Sequence, residues 1–578
     1  MRLPRGVHLL LTLSLLLTAC APGPSPTPAP TPATARPTPT PTTSPLPVGD
    51  RVPEEPLRPE LFHLNQVGYL PDYPKIALIA GTQGEMFKVV ATATGRSVYA
   101  DRLGPGIVDE ETLETVRPAD FSALQTPGEY VLVVPGVGRS PAFRIGPEVF
   151  DSLARDAIRS YDVLRRLAPA AWERLTARAP LRHQPETTLD VSGGWPDAGD
   201  YGKYVPTAGI TLGELLLLWE LFPDRVRSLT LDLPGESGGL PDYLRVLKEE
   251  LDWLLKMQRA DGAVYHKVTP EQFGPFSRSE ADLGGTFYVY DVSTPDTALF
   301  AAVMARAARV FQPYQPEYAA RLRAAAERAW TYLEQQPRPI LPPDRGTGGY
   351  FYADDASQRL WAAAELFRTT GQPRYRTAIE AALRATTPSI GPLTWADTRT
   401  MALLTYLFTP DADPTLQSAI RQALRTWADE MVAWVSSPIN PYRVSLSVYS
   451  WASNKAALDN AVLLLVASAV TPQRSYREAA LDQLHYVLGR NPLAKSYVIG
   501  YGHNSVRHPH NRIMVLHDRL VPGVIVGGPN KDAQDGRAPA GLGPRSYIDA
   551  TEAYSVNENS IEYNAPLVFV AAFFRTAP

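Results

Sequence analysis

The stretch PDYLRVLKEELDWLLKM, residues 241–257, decides the fold. Leu244, Leu247, Leu251 and Leu254 recur three and four residues apart, the spacing that stacks side chains along one face of a 3.6-residue helix. Lys248, Glu249 and Glu250 are read on the opposite, solvent face. The same periodicity predicts helices near 149–167, 206–221, 295–311, 316–335, 357–370, 373–386, 396–408, 414–434, 455–469, 474–488 and 561–575, twelve in all, joined by Pro- and Gly-rich loops. Twelve helices without credible strands predict six αα-hairpins closed into an all-α (α/α)6 barrel over 148–578. Long loops would gather at one end of such a barrel, and loops held by a rigid scaffold are where function usually sits.

Upstream of Phe150 the period falls from 3.6 to two. Short β-branched runs at Lys75–Ala80, Phe87–Ala91 and Tyr130–Val134, separated by Gly and Pro turns, predict a small all-β, antiparallel sandwich over 59–147. No carboxylates or histidines cluster in it, so it is read as structural support packed against the helical domain. Further upstream, Arg2 and Arg5 precede an apolar run from Leu9 to Leu17, too short to span a bilayer and suited to a signal peptide over 1–20. The run ends in Leu17-Thr18-Ala19-Cys20, which resembles the lipobox of bacterial lipoproteins, with Cys20 as the lipidated residue. An ordinary secretory signal is the alternative, and either reading exports the protein. From 21 to 58 the chain reads as a Pro/Thr-rich linker that cannot bury a core; its proline-dense part, at about 3.1 Å per residue, would hold a domain on the order of 80 Å from an anchor.

Composition narrows the partners. The 578 residues carry a formal net charge of -4, with 20% charged residues, which offers no basic field for nucleic acid. Ten Trp and 27 Tyr supply flat faces for sugar rings, although helical cores use the same residues. A single cysteine permits no intrachain disulfide and no Cys-built zinc site. Uncharged ligands and a monomer are expected.

Three loops hold the unusual residues. Gly-Gly-Trp-Pro-Asp-Ala-Gly-Asp-Tyr-Gly-Lys-Tyr at 193–204 places Asp197 and Asp200 on a glycine turn, and Tyr-Ser-Val-Asn-Glu-Asn-Ser-Ile-Glu-Tyr-Asn-Ala at 554–565 places Glu558 just before the last helix. Inverting glycoside hydrolysis needs one carboxylate to activate water and a carboxylic acid, about 6.5–9.5 Å away, to protonate the departing oxygen. Val556, Ile561 and Tyr563 flank Glu558 and would desolvate it, raising its pKa as an acid near neutral pH requires. Taken singly, an Asp-x-x-Asp turn reads equally as a solvated loop, and a Glu at a helix start as a dipole partner.

The context is more specific. Residues 193–204 resemble the Asp-Ala-Gly-Asp region of glycoside hydrolase family 9. Tyr547-x-Asp549, Tyr554, Glu558-x-Ser560 and Asn564-Ala565 resemble that family's C-terminal signature, and Ser496 to Asn504 with Pro509-His510-Asn511-Arg512 its other one. The opening Leu61-Phe62-His63-Leu64-Asn65-Gln66-Val67-Gly68-Tyr69-Leu70-Pro71 resembles the immunoglobulin-like module that precedes many of its catalytic domains. The resemblance implies Asp200 as base, Asp197 as the residue that holds the water, Glu558 as acid, Asp549 as catalytic support, and His510 and Arg512 as sugar ligands. It implies an inverting β-1,4-glucanase or cellulase that needs no cofactor for catalysis.

Weaker candidates for sugar contact are Tyr449 and Trp451, which resemble the family's stacking loop but suit core packing as well, Tyr563 one turn beyond Glu558, and Trp195. Trp253, Trp330 and Trp427 fall in amphipathic helices and read as core. Ile499 and Asn511 depart from the commonest residues without touching those carried over. Ser357-Gln358 stands where many members have Asp-Glu, which leaves a structural calcium near Asp354 and Asp355 without support. Two alternatives remain open on sequence: an exo-acting glucosaminidase or cello-oligosaccharide hydrolase of the same mechanism, and a lipoprotein that binds polysaccharide without cleaving it.

Overall fold

The computed structural model describes residues 48–277, 279, 282–342 and 345–576. The signal peptide expected at 1–20, its Cys20 and the linker over 21–47 lie outside the described residues. Residues 49–58, read as linker, instead run along the sandwich: Gly49 N–H donates to Ser97 O at 2.8 Å, and Arg139 N–H donates to Pro56 O at 2.9 Å. Among the described residues no helix is long and apolar enough to cross a membrane.

The helix read from residues 241–257 is Asp242–Lys256. Leu244, Leu247, Leu251 and Leu254 are all buried, each contributing about 1.5–3 kcal/mol of transfer free energy. Glu250 departs from the expectation. It is three residues from Leu247, lies on the buried face, and accepts the Trp195 N–H at 2.6 Å.

The other predicted helices form within a few residues of their expected bounds and sort into two layers. Val205–Leu221, Thr294–Phe311, Ala356–Thr370, Arg399–Leu407, Ser453–Val470 and Ile561–Phe574 are buried nearly all round. Asp151–Leu167, Asp242–Lys256, Pro316–Gln335, Pro373–Ala385 and Pro414–Val435 bury one stripe and expose the other, while Arg474–Val487, also in the outer layer, is buried along its whole second half. The inner helices 205–221, 294–311, 356–370 and 399–407 pack in order, while 453–470 lies against 561–574, which closes onto 205–221. This is the (α/α)6 double ring.

Close approach in the inner ring depends on Gly209. A Cβ there would stand 1.4 Å from Leu299 Cδ2 and 2.6 Å from its Cγ. Gly209→Val is therefore expected to lower stability by about 1–3 kcal/mol through overpacking, seen as a lower thermal midpoint with the fold retained.

Two features escaped the sequence reading. Strands do occur in the helical domain, in a five-stranded sheet ordered Gln184–Leu189, Ala179–Leu181, Phe287–Val289, Lys267–Pro270 and Lys203–Tyr204. Their two to six residues are too short to show a period. Short helices at Ala170–Ala177, Arg512–His517 and Tyr554–Asn557 also went unread.

The N-terminal module is two β-sheets over Phe62–Ile145, antiparallel except where Phe143–Ile145 pairs in parallel with Gly68–Tyr69. Its opening segment docks on the barrel. His63 Nδ1 donates to Asn491 O at 2.8 Å, Gln66 Nε2 donates to Ala494 O at 2.7 Å, and Gln66 Oε1 accepts the Asn504 N–H at 2.9 Å. The sandwich thereby braces the 491–504 loop, one of the segments singled out by sequence.

Candidate active site

A cleft of about 1000 Å³ opens at the end of the barrel where the inner helices begin. Its walls come from the loops leading into those helices, at 197–204, 273, 348–350, 392–395, 450–452, 510–512 and 554–560, and from the first turns of 453–470 and 561–574. Helix N-termini carry partial positive charge, so carboxylates are favoured at this end rather than the other.

The segments 193–204 and 554–565 interlock. Gly199 N–H donates to Glu558 Oε1 at 3.0 Å, and Ile561 N–H donates to Asp197 O at 2.7 Å. Arg512 N–H reaches Gly199 O at 2.9 Å, and Asn511 Nδ2 reaches Ala198 O at 3.1 Å. Only glycine fits at 199, because a Cβ would lie 2.2 Å from His510 O. From beneath, Lys203 Nζ donates to the carbonyls of Val191 and Gly193, and Glu250 holds Trp195 N–H.

The three carboxyl groups sit in different surroundings. Asp200 accepts the Gly202 N–H at 2.9 Å and the Tyr204 hydroxyl at 2.8 Å. Burial raises its pKa above the ordinary aspartate value, while these donors and the Arg512 charge pull it back. Asp197 is raised much further, by burial and by the Asp200 charge; it accepts the Tyr350 hydroxyl at 2.6 Å on Oδ2. Glu558 lies on an extended stretch bridged to His510, and its carbonyl accepts the Gly527 N–H at 2.8 Å. Burial, then the Asp200 charge, push its carboxyl up to about 8, against the pull of the Gly199 N–H. Val556, Ile561 and Tyr563 are buried beside it. The arrangement sets a carboxyl held by two hydrogen-bond donors and a second carboxyl pushed up to about 8 on one cleft.

Tyr350→Phe removes a donor that favours ionised Asp197. We expect about a tenfold fall in kcat and an acid limb of the pH–rate profile moved to higher pH, since losing a donor to the charged form raises a carboxyl pKa.

His510 and Arg512 both line the cleft. His510 Nδ1 donates to Thr551 O at 2.6 Å, which leaves Nε2 as an acceptor, and burial lowers its pKa to about 4, so the ring is neutral. Arg512 is fixed by Gly274 O at 3.0 Å and Gly199 O at 3.2 Å and lies 4.3 Å from the Phe276 ring. Asp549 is absent from the cleft wall. It accepts Lys495 Nζ at 2.8 Å and the backbone N–H groups of Arg507 and His508 at 2.9 and 2.8 Å, which ties together the loops that present His510 and Glu558.

The aromatic candidates divide. Trp451 is 40% exposed on the cleft and donates Nε1–H to the Tyr563 hydroxyl at 2.7 Å; both line the wall. Tyr449 does not: it is buried in the core, and its carbonyl accepts the Lys531 N–H at 2.9 Å, away from the cleft wall. Trp195 is 1% exposed and packs 4.4 Å from Tyr161, so it too is core rather than platform. The sequence reading missed Tyr204, Tyr350, Trp395 and Tyr554, which line the cleft. Tyr350 and Trp395 lie in loops entering helices 356–370 and 399–407, so aromatics in Gly- and Pro-rich entry loops were the available signal.

Around Asp354 and Asp355, where many family members have residues that can serve a calcium, the side chains do not form a cradle. Asp355 pairs with Arg359 at 2.8 Å, and the Gln358 amide Nε2 donates to Trp395 O and Ala396 O at 2.9 and 3.0 Å, holding the loop that presents Trp395. Calcium asks for several charged oxygen ligands, which this set lacks.

Fold and site together define a helical-barrel glycosidase. The glycosyl hydrolase family 9 model matches residues 150–571, and the cellulase N-terminal Ig-like domain model matches residues 59–139. The chain is 34% identical over 533 residues to endoglucanase D of Acetivibrio thermocellus, covering 88% of this chain and 83% of that protein. It is 32% identical over 543 residues to a cellodextrinase of Butyrivibrio fibrisolvens, covering 88% of this chain and 98% of that one. The crystal structure of the family 9 endoglucanase J30 superposes with a TM-score of 0.84 at 39% identity, covering 88% of this chain and all of that chain, 100%. The chain belongs to glycosyl hydrolase family 9.

Proposed function

We propose that this chain hydrolyses β-1,4-glucan with inversion at the anomeric carbon. The observation that carries the reading is the pairing of Asp200, held by two donors, with Glu558, pushed up to about 8, on interlocked loops of one cleft. Asp200 takes a proton from water as the water oxygen bonds to the anomeric carbon. Asp197, through its Tyr350 contact, orients that water. Glu558 passes its proton to the glycosidic oxygen as the carbon–oxygen bond breaks. His510 and Arg512 hold the sugar next to the cleaved bond, with Trp395 and Trp451 as stacking faces.

The names of the relatives, an endoglucanase and a cellodextrinase, support cellulose, related β-glucans and their oligosaccharides as substrates. The lipobox-like Leu17 to Cys20 and the Pro/Thr-rich stretch after it support export and a membrane tether. Incubation with cellulose, mixed-linkage glucan and chitosan oligomers, followed by product analysis and NMR of the first-formed anomer, tests the reading. Cello-oligosaccharides released in the α-configuration are expected. A β-configured first product overturns the mechanism, and release of glucosamine alone overturns the substrate.

A further inference from the structure

Beside the catalytic turn the cleft carries ionisable groups that the hydrolytic mechanism leaves without a task. Lys455, Asp459 and Glu562 line it, with Glu214 behind them. Most of these charges are spoken for. Lys455 Nζ donates to Leu393 O at 2.7 Å and to Asp459 Oδ2 at 2.5 Å, and lies 3.7 Å from Glu214. Burial opposes the Lys455 charge, but the Asp459 and Glu214 carboxylates hold its pKa above the ordinary lysine value.

Glu562 differs. It stands four residues past Glu558, on the first turn of helix 561–574, and is only 8% exposed. Its backbone N–H is satisfied by Ser560 Oγ at 3.3 Å, yet among the described residues no donor hydrogen-bonds its carboxyl oxygens. A carboxyl so nearly buried must find its donors in the cleft, since leaving it unpaired costs free energy. Its neighbours fix where those donors come from. Ile561, the residue before, donates its N–H to Asp197 O at 2.7 Å, and Tyr563, the residue after, receives Trp451 Nε1–H at 2.7 Å. Glu562 therefore faces the space between the Asp197–Asp200 turn and the exposed Trp451 ring.

We propose that the Glu562 carboxyl is a further substrate-binding group, accepting hydrogen bonds from free hydroxyls of the pyranose ring seated between that turn and Trp451, an inference that rests on the β-glucan reading above. A carboxyl built to take hydroxyl donors discriminates against rings whose hydroxyls are absent or substituted, because it is then left buried and unpaired. Burial holds the Glu562 carboxyl up at about 7 against the pull of Lys455. Glu562→Gln keeps its volume but removes the charge-assisted acceptor.

The test measures cellotetraose binding by calorimetry in the Asp200→Ala background, with Glu562 intact and with Glu562→Gln or Glu562→Ala, alongside KM and kcat for the same substitutions in the active enzyme. We expect Kd and KM to rise roughly ten- to one-hundred-fold, with the thermal midpoint nearly unchanged. Unchanged Kd and KM in Glu562→Gln overturn the inference, whatever happens to the folding of Glu562→Ala. A lower midpoint with unchanged affinity assigns Glu562 to the scaffold and overturns it equally. If the unsubstituted enzyme neither binds nor cleaves cellotetraose, the β-glucan reading itself fails, and the inference falls with it.

Discussion

Glu558→Gln is expected to lower kcat/KM on β-glucan by about 10²–10⁴-fold while leaving the protein folded. That range corresponds to about 3–6 kcal/mol of transition-state stabilisation. The amide keeps an oxygen for the Gly199 N–H, now 3.0 Å from Glu558 Oε1, so the lock between the two site loops survives the change. What disappears is the proton. The loss should shrink on an aryl cellobioside, whose phenolate departs without much help.

The pH profile gives a second readout. The acid works protonated and its pKa is raised to about 8, so wild-type activity is present below that pH and falls as pH rises through it. This alkaline limb should vanish in Glu558→Gln. A variant that keeps both its turnover on polysaccharide and its alkaline limb removes Glu558 from the acid's role.

Asp200→Ala is expected to cost a similar factor, about 10²–10⁴-fold in kcat, for the complementary reason. The water loses its proton acceptor, and Gly202 N–H and the Tyr204 hydroxyl lose theirs. Azide, a nucleophile with no proton to surrender, should restore part of the turnover and give a glycosyl azide of inverted configuration, with Glu558 still protonating the leaving oxygen. The acid limb of the unsubstituted enzyme offers an independent check: burial raises Asp200 above the ordinary aspartate value, so activity should decline on acidification at a pH above that value. Retention of more than about a tenth of wild-type turnover contradicts the base assignment.

Periodicity served well where one face of a helix meets water and poorly elsewhere. The helix at 242–256 was read from four leucines, yet Glu250 was placed on the wrong face. Its burial depends on a partner 55 positions away, the Trp195 N–H, that no local pattern announces. Trp195 and Tyr449 looked like sugar platforms because both stand beside motif residues. Which way a loop turns its rings depends on what packs against them, and here Tyr161 and the core claim these two. The strands at 179–189, 203–204, 267–270 and 287–289 are too short for alternation to register. Gly209 gave no hint that a neighbouring leucine comes within contact of its missing side chain.

By itself the sequence determined the twelve long helices, the double-ring architecture and the identity of Asp197, Asp200 and Glu558 as candidate chemistry, because hydrophobic period and motif spacing are written into adjacent residues. Only the tertiary structure decided how these groups face one another and what surrounds them. Gly199 and Glu558 lie 359 positions apart yet share a 3.0 Å hydrogen bond. The raised pKa values of the carboxyls, the Tyr350 contact to Asp197 and the Glu562 carboxyl that finds no donor among the described residues all arise from burial and from neighbours brought in by ring closure. Desolvation and Coulomb interaction depend on distance through space, and in this chain the distances that matter are set when helix 561–574 closes onto 205–221.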